Sequence, residues 1–219
     1  MAGLNLFANY ERIETKFDDF SGDFDLVGFI RQAQHDPELM QTILAGSYIH
    51  DNGFYKITLF DDAVHKLRLH IWTNSKGDYM ENIHNHRWDL HSRILIGSYK
   101  NELYVRGAGG ERYHEYSYRP HNGGQSYEFF YVGICDLKCV NTIEKFQGDQ
   151  VFLGHEEIHR VSPSSDYTAS LFLSGGPHKM NTEVFSKSQY DQGNVAYHYL
   201  SLQELEFLFE DFLTRIAHG

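Results

Sequence analysis

Cysteine is scarce in this chain: Cys135 and Cys139 are the only two in 219 residues. That is too few for a disulfide framework or a four-thiolate zinc site. Long apolar runs are missing as well, and none approaches the 18 residues of a membrane helix. The opening Met1-Ala2-Gly3-Leu4-Asn5 has neither a basic n-region nor an apolar h-region, which predicts no signal peptide. Positive charge is in deficit, with 19 Lys and Arg against 30 Asp and Glu and a net charge of −11. A general phosphate-backbone binder needs a basic stripe, so nucleic acid is not an expected partner. Charged residues are only 22% of the chain and aromatics 15%, which excludes a disordered acidic protein. A chain of this length buries roughly 70% of its unfolded surface, enough for a real core. The expectation is a soluble, cytoplasmic protein with no membrane partner.

What the chain does have is punctuation and histidine. The first quarter reads helical, with an apolar stripe of Phe24, Leu26, Val27, Phe29 and Ile30. A second helical run follows from Pro37 to a Gly46 cap. From 53 to 187 the pattern changes to short alternating segments. They run from 53–60, 66–73 and 79–86 through 92–106, 112–119, 126–133 and 137–146 to 149–153, 157–162, 167–174 and 182–187. Turn signals at Asp51-Asn52-Gly53, Gly107-Ala108-Gly109-Gly110 and Asn122-Gly123-Gly124 separate them. Such spacing suggests an all-β sandwich or barrel. Ser201-Leu202-Gln203-Glu204 is a capping box, and Leu202, Leu205, Phe209, Phe212 and Ile216 continue a helical stripe over 201–217. No repeat or linker interrupts the chain, so residues 1–219 are expected to form a single domain. A helical segment 1–50 and a C-terminal helix flank a β core at 53–187.

The 14 histidines fall into two notable groups. In His84-Asn85-His86 the two imidazoles share a face if the segment is a strand, and could meet one ion. His155-Glu156-Glu157-Ile158-His159 spells HExxH, which on a helix holds zinc beside a glutamate base. Here Gly154 precedes the motif and Val161-Ser162-Pro163 follows it, so a helix would stop within one turn. The context is strand-like, and a metalloprotease is disfavoured.

A second template fits both groups. Cupins pair an HxH followed by a glycine with a later G-x5-P-x-G-x2-H. This chain has His84-x-His86 followed by Gly97, then Gly148-x5-Gly154-x-Glu156-x2-His159. It resembles a cupin, which implies a double-stranded β-helix (jelly roll) with flanking helices and His84, His86 and His159 as metal ligands. His155 is then not a ligand. The glutamate many cupins carry in the first motif is missing, with Leu90 or His91 near its place, and Asp89 and His91 are the candidate outer-shell or fourth ligands.

Within the cupins the chain is similar to cysteine dioxygenase, a three-histidine iron enzyme, over roughly residues 24–180. The similarity lies in Tyr55-Lys56-Ile57-Thr58-Leu59-Phe60, in Leu67 to Trp72 with Asn82-Ile83-His84-Asn85-His86, and in Ile158-His159-Arg160-Val161 with Ala169-Ser170-Leu171-Phe172-Leu173. The resemblance places Ile57 where that family has its carboxylate-binding arginine. It also places Ser170, Phe172 and Ser174 at a Ser-His-Tyr series, and Ser92 or Arg93 at a cysteine. If Trp72 faces the pocket, strand alternation puts His70 and Arg68 beside it. Tyr55 and Ile57 would line the neighbouring strand, and Trp88 and His91 follow the ligand pair. The candidate pocket residues are therefore Tyr55, Arg68, His70, Trp72, His91 and Ser170.

The resemblance implies an iron(II) cupin dioxygenase or related oxygenase using O2 on a small polar metabolite, and a poor user of free cysteine. Ni, Mn or Zn are alternative metals. A zinc-type isomerase, lyase or hydrolase and a non-catalytic binding cupin remain open. The oligomeric state is open, a homodimer included.

Overall fold

The computed structural model describes residues 24–62, 64–73, 81–120 and 126–218. The Asn122-Gly123-Gly124 signal, the start of the 79–86 segment and residues 1–23 of the helical N-terminus lie outside them.

Among the described residues, three helices flank the sheets. In α1, Leu26–His35, the Asp25 carboxylate accepts the Gly28 N–H at 2.8 Å, and Leu26, Phe29, Ile30 and Ala33 form the buried stripe. In α2, Pro37–Ala45, Asp36 caps Glu38 and Leu39, Pro37 opens the first turn, and Gly46 ends the helix. The last helix, α3, spans Leu202–His218. Its reciprocal Ser201–Glu204 bonds confirm the capping box. Its buried face is Leu205, Leu208, Phe209 and Phe212. Leu202, expected on that face, is exposed at the first turn.

The strands among the described residues are β1 Tyr48–His50, β2 Phe54–Asp61, β3 Lys66–Thr73, β4 Ile83–His84, β5 Leu90–Ile96, β6 Ser98–Pro120, β7 Ser126–Phe146, β8 Gln150–Leu153, β9 Ile158–Pro163, β10 Tyr167–Ser174, β11 Thr182–Ser186, β12 Gly193–Ala196 and β13 His198–Tyr199. One sheet has the order β13-β1-β2-β3-β10-β5-β8 and the other β11-β4-β9-β6-β7-β12. From β3 to β10 the chain crosses between sheets at every step except the β6–β7 hairpin. The inner quartets are β3-β10-β5-β8 and β4-β9-β6-β7. That is the eight-stranded double-stranded β-helix, or jelly roll.

The segments 66–73 and 167–174 coincide with β3 and β10. The segments 92–106 and 112–119 do not end at Gly107-Ala108-Gly109-Gly110, where a turn was expected. The strand β6 runs through it, and Arg106 and Glu111 both lie opposite Leu137, so the four residues form a bulge rather than a reversal. Gly110 permits this because a Cβ there would come within 2.4 Å of the Leu137 carbonyl. Likewise 126–133 and 137–146 fuse into the 21-residue β7. A true corner occurs at Gly97 between β5 and β6, with φ +77 and a Cβ position 2.3 Å from the Tyr167 carbonyl.

Alternation along β3 and β10 sets the core. Leu67, Leu69 and Ile71 join Ala169, Leu171 and Leu173 beneath the three helices. The opposite parity, including Trp72 and Phe172, faces between the sheets.

Candidate metal centre and its cavity

Between the sheets lies a cavity of about 630 Å³. On its wall β4 and β9 pair with His84 directly opposite His159. Past the end of β4, Asn85 turns away from the cavity. Its side chain accepts the Glu183 N–H at 2.8 Å and donates to the Glu183 carboxylate at 2.5 Å. That anchor leaves His84 and His86 on one face, as the HxH spacing predicts. The ring centroids of His84, His86 and His159 are 4.7 to 5.1 Å apart. One nitrogen from each lies within 4.8 Å of the other two.

The outer nitrogens are already engaged. His84 Nδ1 lies 2.8 Å from the Asn82 carbonyl, and His159 Nδ1 lies 3.1 Å from Asn101 Oδ1. Both acceptors require an Nδ1–H, so Nε2 of each neutral ring carries a lone pair. Hydrogen bonds of this kind orient metal-binding imidazoles. Burial holds His84 down to about 4 and depresses His86 and His159 well below the usual histidine range, where neighbouring imidazoles add to the effect on the latter two. All three are therefore neutral at neutral pH. His86 Nε2 sits 2.9 Å from His159 Nε2, a contact of two lone pairs unless a proton or a cation mediates it. Three neutral imidazoles suit Fe, Zn, Cu or Ni, and the residues present fit a divalent ion.

The HExxH sequence is divided between two environments. Gly154–Glu157 is a tight turn joining β8 to β9, in which the Glu157 carboxylate accepts the Gly154 N–H at 2.6 Å. His159 points into the cavity. His155 points away and meets Asp89 at 2.7 Å, with His178 stacked on it at 4.4 Å. Asp89, His155 and His178 form a second, more exposed group of potential ligands. Asp89 thus belongs with that group and is not a fourth ligand to the inner three. Glu156 is 72% exposed and offers no base to the inner site.

Of the other expected pocket residues, Arg68, His70, Trp72, Trp88, Ser92 and Ser170 all line the cavity. Two do not. Tyr55 packs with Ile57 against the helical core, where Glu204 of α3 is its charged neighbour. The parity of β2 is one residue off the expectation, and Phe54, Lys56 and Thr58 are the residues that face inward. Ile57 is consequently not a pocket position at all, and Lys56 is. His91 is buried on the other face of β5, because Leu90 and Ser92 take the inward parity. It is absent from the imidazole cluster.

Glu81 was not anticipated. It is 5% exposed, lines the cavity and accepts the Val161 N–H at 3.0 Å. Burial pushes its carboxyl up to about 8 despite that hydrogen bond. No periodic or spacing signal marks it, because it follows the segment 74–80 and precedes β4.

No protein-family model matches the chain, and no curated protein sequence does. Solved structures with similar folds include a hydroquinone 1,2-dioxygenase in complex with Cd2+ and 4-hydroxybenzonitrile, at 12% identity and a TM-score of 0.35. The match covers 55% of this chain and 63% of that one. A cupin superfamily protein from Desulfitobacterium hafniense DCB-2 matches at 11% identity and a TM-score of 0.34, over 58% of this chain and 81% of that one. Hydroxypropylphosphonic acid epoxidase from S. wedmorenis matches at 8% and 0.37, over 59% and 53%. At such scores these likenesses add nothing to the strand order already described.

Proposed function

We propose that this chain is a metal-dependent oxygenase, with iron(II) held by His84, His86 and His159, acting on a small metabolite admitted to the jelly-roll cavity. The observation that supports it is the convergence of three neutral imidazole nitrogens, two of them preset by hydrogen bonds to Asn82 and Asn101, on the wall of a cavity of small-molecule size. When bound, the ion would supply the oxygen chemistry that imidazole sites with open positions support.

The protein's own groups divide the remaining work. Asn82 and Asn101 hold two imidazoles in the ligating tautomer. Phe172, 6.1 Å from the His86 ring, and Trp88, 6.4 Å from it, keep bulk water from that side of the site. Glu81, neutral through most of the physiological range, is a proton donor at its carboxyl oxygen. Free cysteine is a poor substrate in this reading, because the cysteine dioxygenase resemblance expects His and Tyr where this chain has Phe172 and Ser174.

The neutral Glu81 also suits proton-transfer chemistry without a redox change, the alternative with zinc at the same three residues. Metal analysis of anaerobically purified protein, with oxygen uptake over a metabolite panel, separates the two. Iron with substrate-dependent oxygen uptake supports the proposal. Zinc-only occupancy with no oxygen uptake in the iron-loaded protein defeats it.

A further inference from the structure

Among the described residues, three of the cations lining the cavity of this acidic protein, Arg68, Lys56 and Arg87, make no ion pair. Arg68 is 4% exposed on the inward face of β3. Among the described residues, its guanidinium makes one hydrogen bond, from Nη1 to the neutral Ser174 hydroxyl at 3.1 Å. The faces of Trp88 and Phe172 lie 5.2 and 5.6 Å from the guanidinium and stabilise its charge in part. Lys56, half-buried on β2, has its ammonium 5.2 Å over the Tyr48 ring, and Arg87 stacks on Trp88 at 4.6 Å. Among the described residues, no carboxylate lies within ion-pairing distance of any of the three.

The acids bordering the cavity are accounted for elsewhere. Asp61 pairs with Lys66, and Asp51 accepts the Tyr127 hydroxyl. Glu81 is held neutral, and Asp191 is exposed. Burial lowers the Lys56 amine well below its usual value, and the charges of Arg68 and Arg87 push it lower still. Buried cations this close are costly without a counter-charge. A guanidinium with unused donors is also the group that best grips a carboxylate or phosphoryl oxygen.

We propose that the cavity binds a small organic anion whose acidic group is held by Arg68 and Lys56, with its other end directed to the three-histidine site. The direction follows from shared neighbours. Trp88 and Phe172 each flank both Arg68 and His86, so one aromatic side chain separates the anion subsite from the imidazoles. His70, on the same face of β3 and opposite Lys56 in the sheet, has an unpartnered Nε2 and sits 4.7 Å from Phe172. It lines the path between them. The orientation rests on the metal-centre reading above, whereas anion binding does not.

Calorimetry and thermal unfolding on chelator-treated, metal-free protein test the subsite apart from the metal. The probes are benzoate, inorganic phosphate and, as the uncharged control, benzamide. Benzoate or phosphate should bind and raise the unfolding midpoint, and benzamide should not. Arg68→Met should weaken anion binding at least about tenfold while leaving the ligand-free protein as stable as wild type or more so. Lys56→Met should weaken it in the same direction, and His159→Ala should leave it unchanged. Equal protection by benzamide and benzoate, no binding by either anion, or anion binding unaltered in both Arg68→Met and Lys56→Met would overturn the proposal. Loss of metal binding with anion binding retained would instead strike only the oxygenase reading.

Discussion

Asn101 offers a sharp test of the metal centre because it touches a candidate ligand without being one. It is 4% exposed on β6, opposite Val161 of β9, and its Oδ1 takes the His159 Nδ1–H at 3.1 Å. Replacing Asn101 with Leu keeps a side chain of similar bulk but leaves that N–H buried without an acceptor. An unsatisfied buried donor costs about 1–3 kcal/mol. The imidazole escapes that cost by rotating or by moving its proton to Nε2, and either response removes the lone pair aimed at the ion. Zinc affinity, measured by competition with a chromophoric chelator near neutral pH, should therefore fall about 10- to 100-fold. Asn101→Asp should retain or raise affinity, since a carboxylate in that place makes the imidazole a stronger donor. His155→Ala, altering the turn outside the cavity, should bind zinc as wild type does. An Asn101→Leu protein binding as tightly as wild type would refute the argument that His159 ligates through a preset Nε2. So would loss of zinc from the His84, His86 and His159 site in His155→Ala.

Other outcomes follow from the same contacts. Glu81, with its folded carboxyl at about 8 against an ordinary 4.5, holds a proton that the unfolded chain releases. Its contribution to stability is fully present below that ordinary value and is lost as pH rises through about 8, at up to about 1.4 kcal/mol per pH unit. Denaturant titrations between about pH 4.5 and 8 should show this slope in the wild type and a flatter one in Glu81→Gln; equal slopes would remove Glu81 from the cavity's proton chemistry. Gly97→Ala combines a left-handed φ with a backbone clash at 2.3 Å, whereas Gly109→Ala, at φ +84, meets nothing within 4 Å. The first should destabilise by about 1–3 kcal/mol and clearly more than the second, as read by thermal unfolding. Glu156→Gln should leave metal content unchanged, and the zinc-loaded wild type should cleave no peptide library; a zinc-dependent peptidase abolished by this change would reinstate the HExxH reading.

Much of this arrangement is legible in the chain itself. The HxH pair, the strand context of His159 and the shared parity of Arg68, His70 and Trp72 all follow from a period of two. The errors came where a period is interrupted. On β2 the alternation Phe54-Tyr55-Lys56-Ile57 has apolar or amphipathic residues on both faces, because both faces are covered. Alternation alone therefore does not show that Tyr55 and Ile57 support the helices rather than line the cavity. His91 failed for a related reason, since the position after a loop does not announce which parity the strand will resume. The Gly107–Gly110 bulge looks like a turn because the same glycines serve either purpose, and only the continued pairing with β7 decides it. Glu81 and Asn101 carry no sequence signal. A single buried carboxyl or amide takes its meaning from what surrounds it.

The strand β3 has a consequence for how such a protein can diversify. Its residues alternate between two independent jobs: Leu67, Leu69 and Ile71 hold the helical layer, and Arg68, His70 and Trp72 furnish the chamber. Substitution at the even positions changes what the chamber admits while the odd positions keep the scaffold standing. Substitution at the odd positions risks the whole fold for no gain in chemistry. A lineage built on this strand can trade one ligand for another by single steps at every second residue, each intermediate still folded. Its descendants would then share an architecture long after their sequences had ceased to resemble one another.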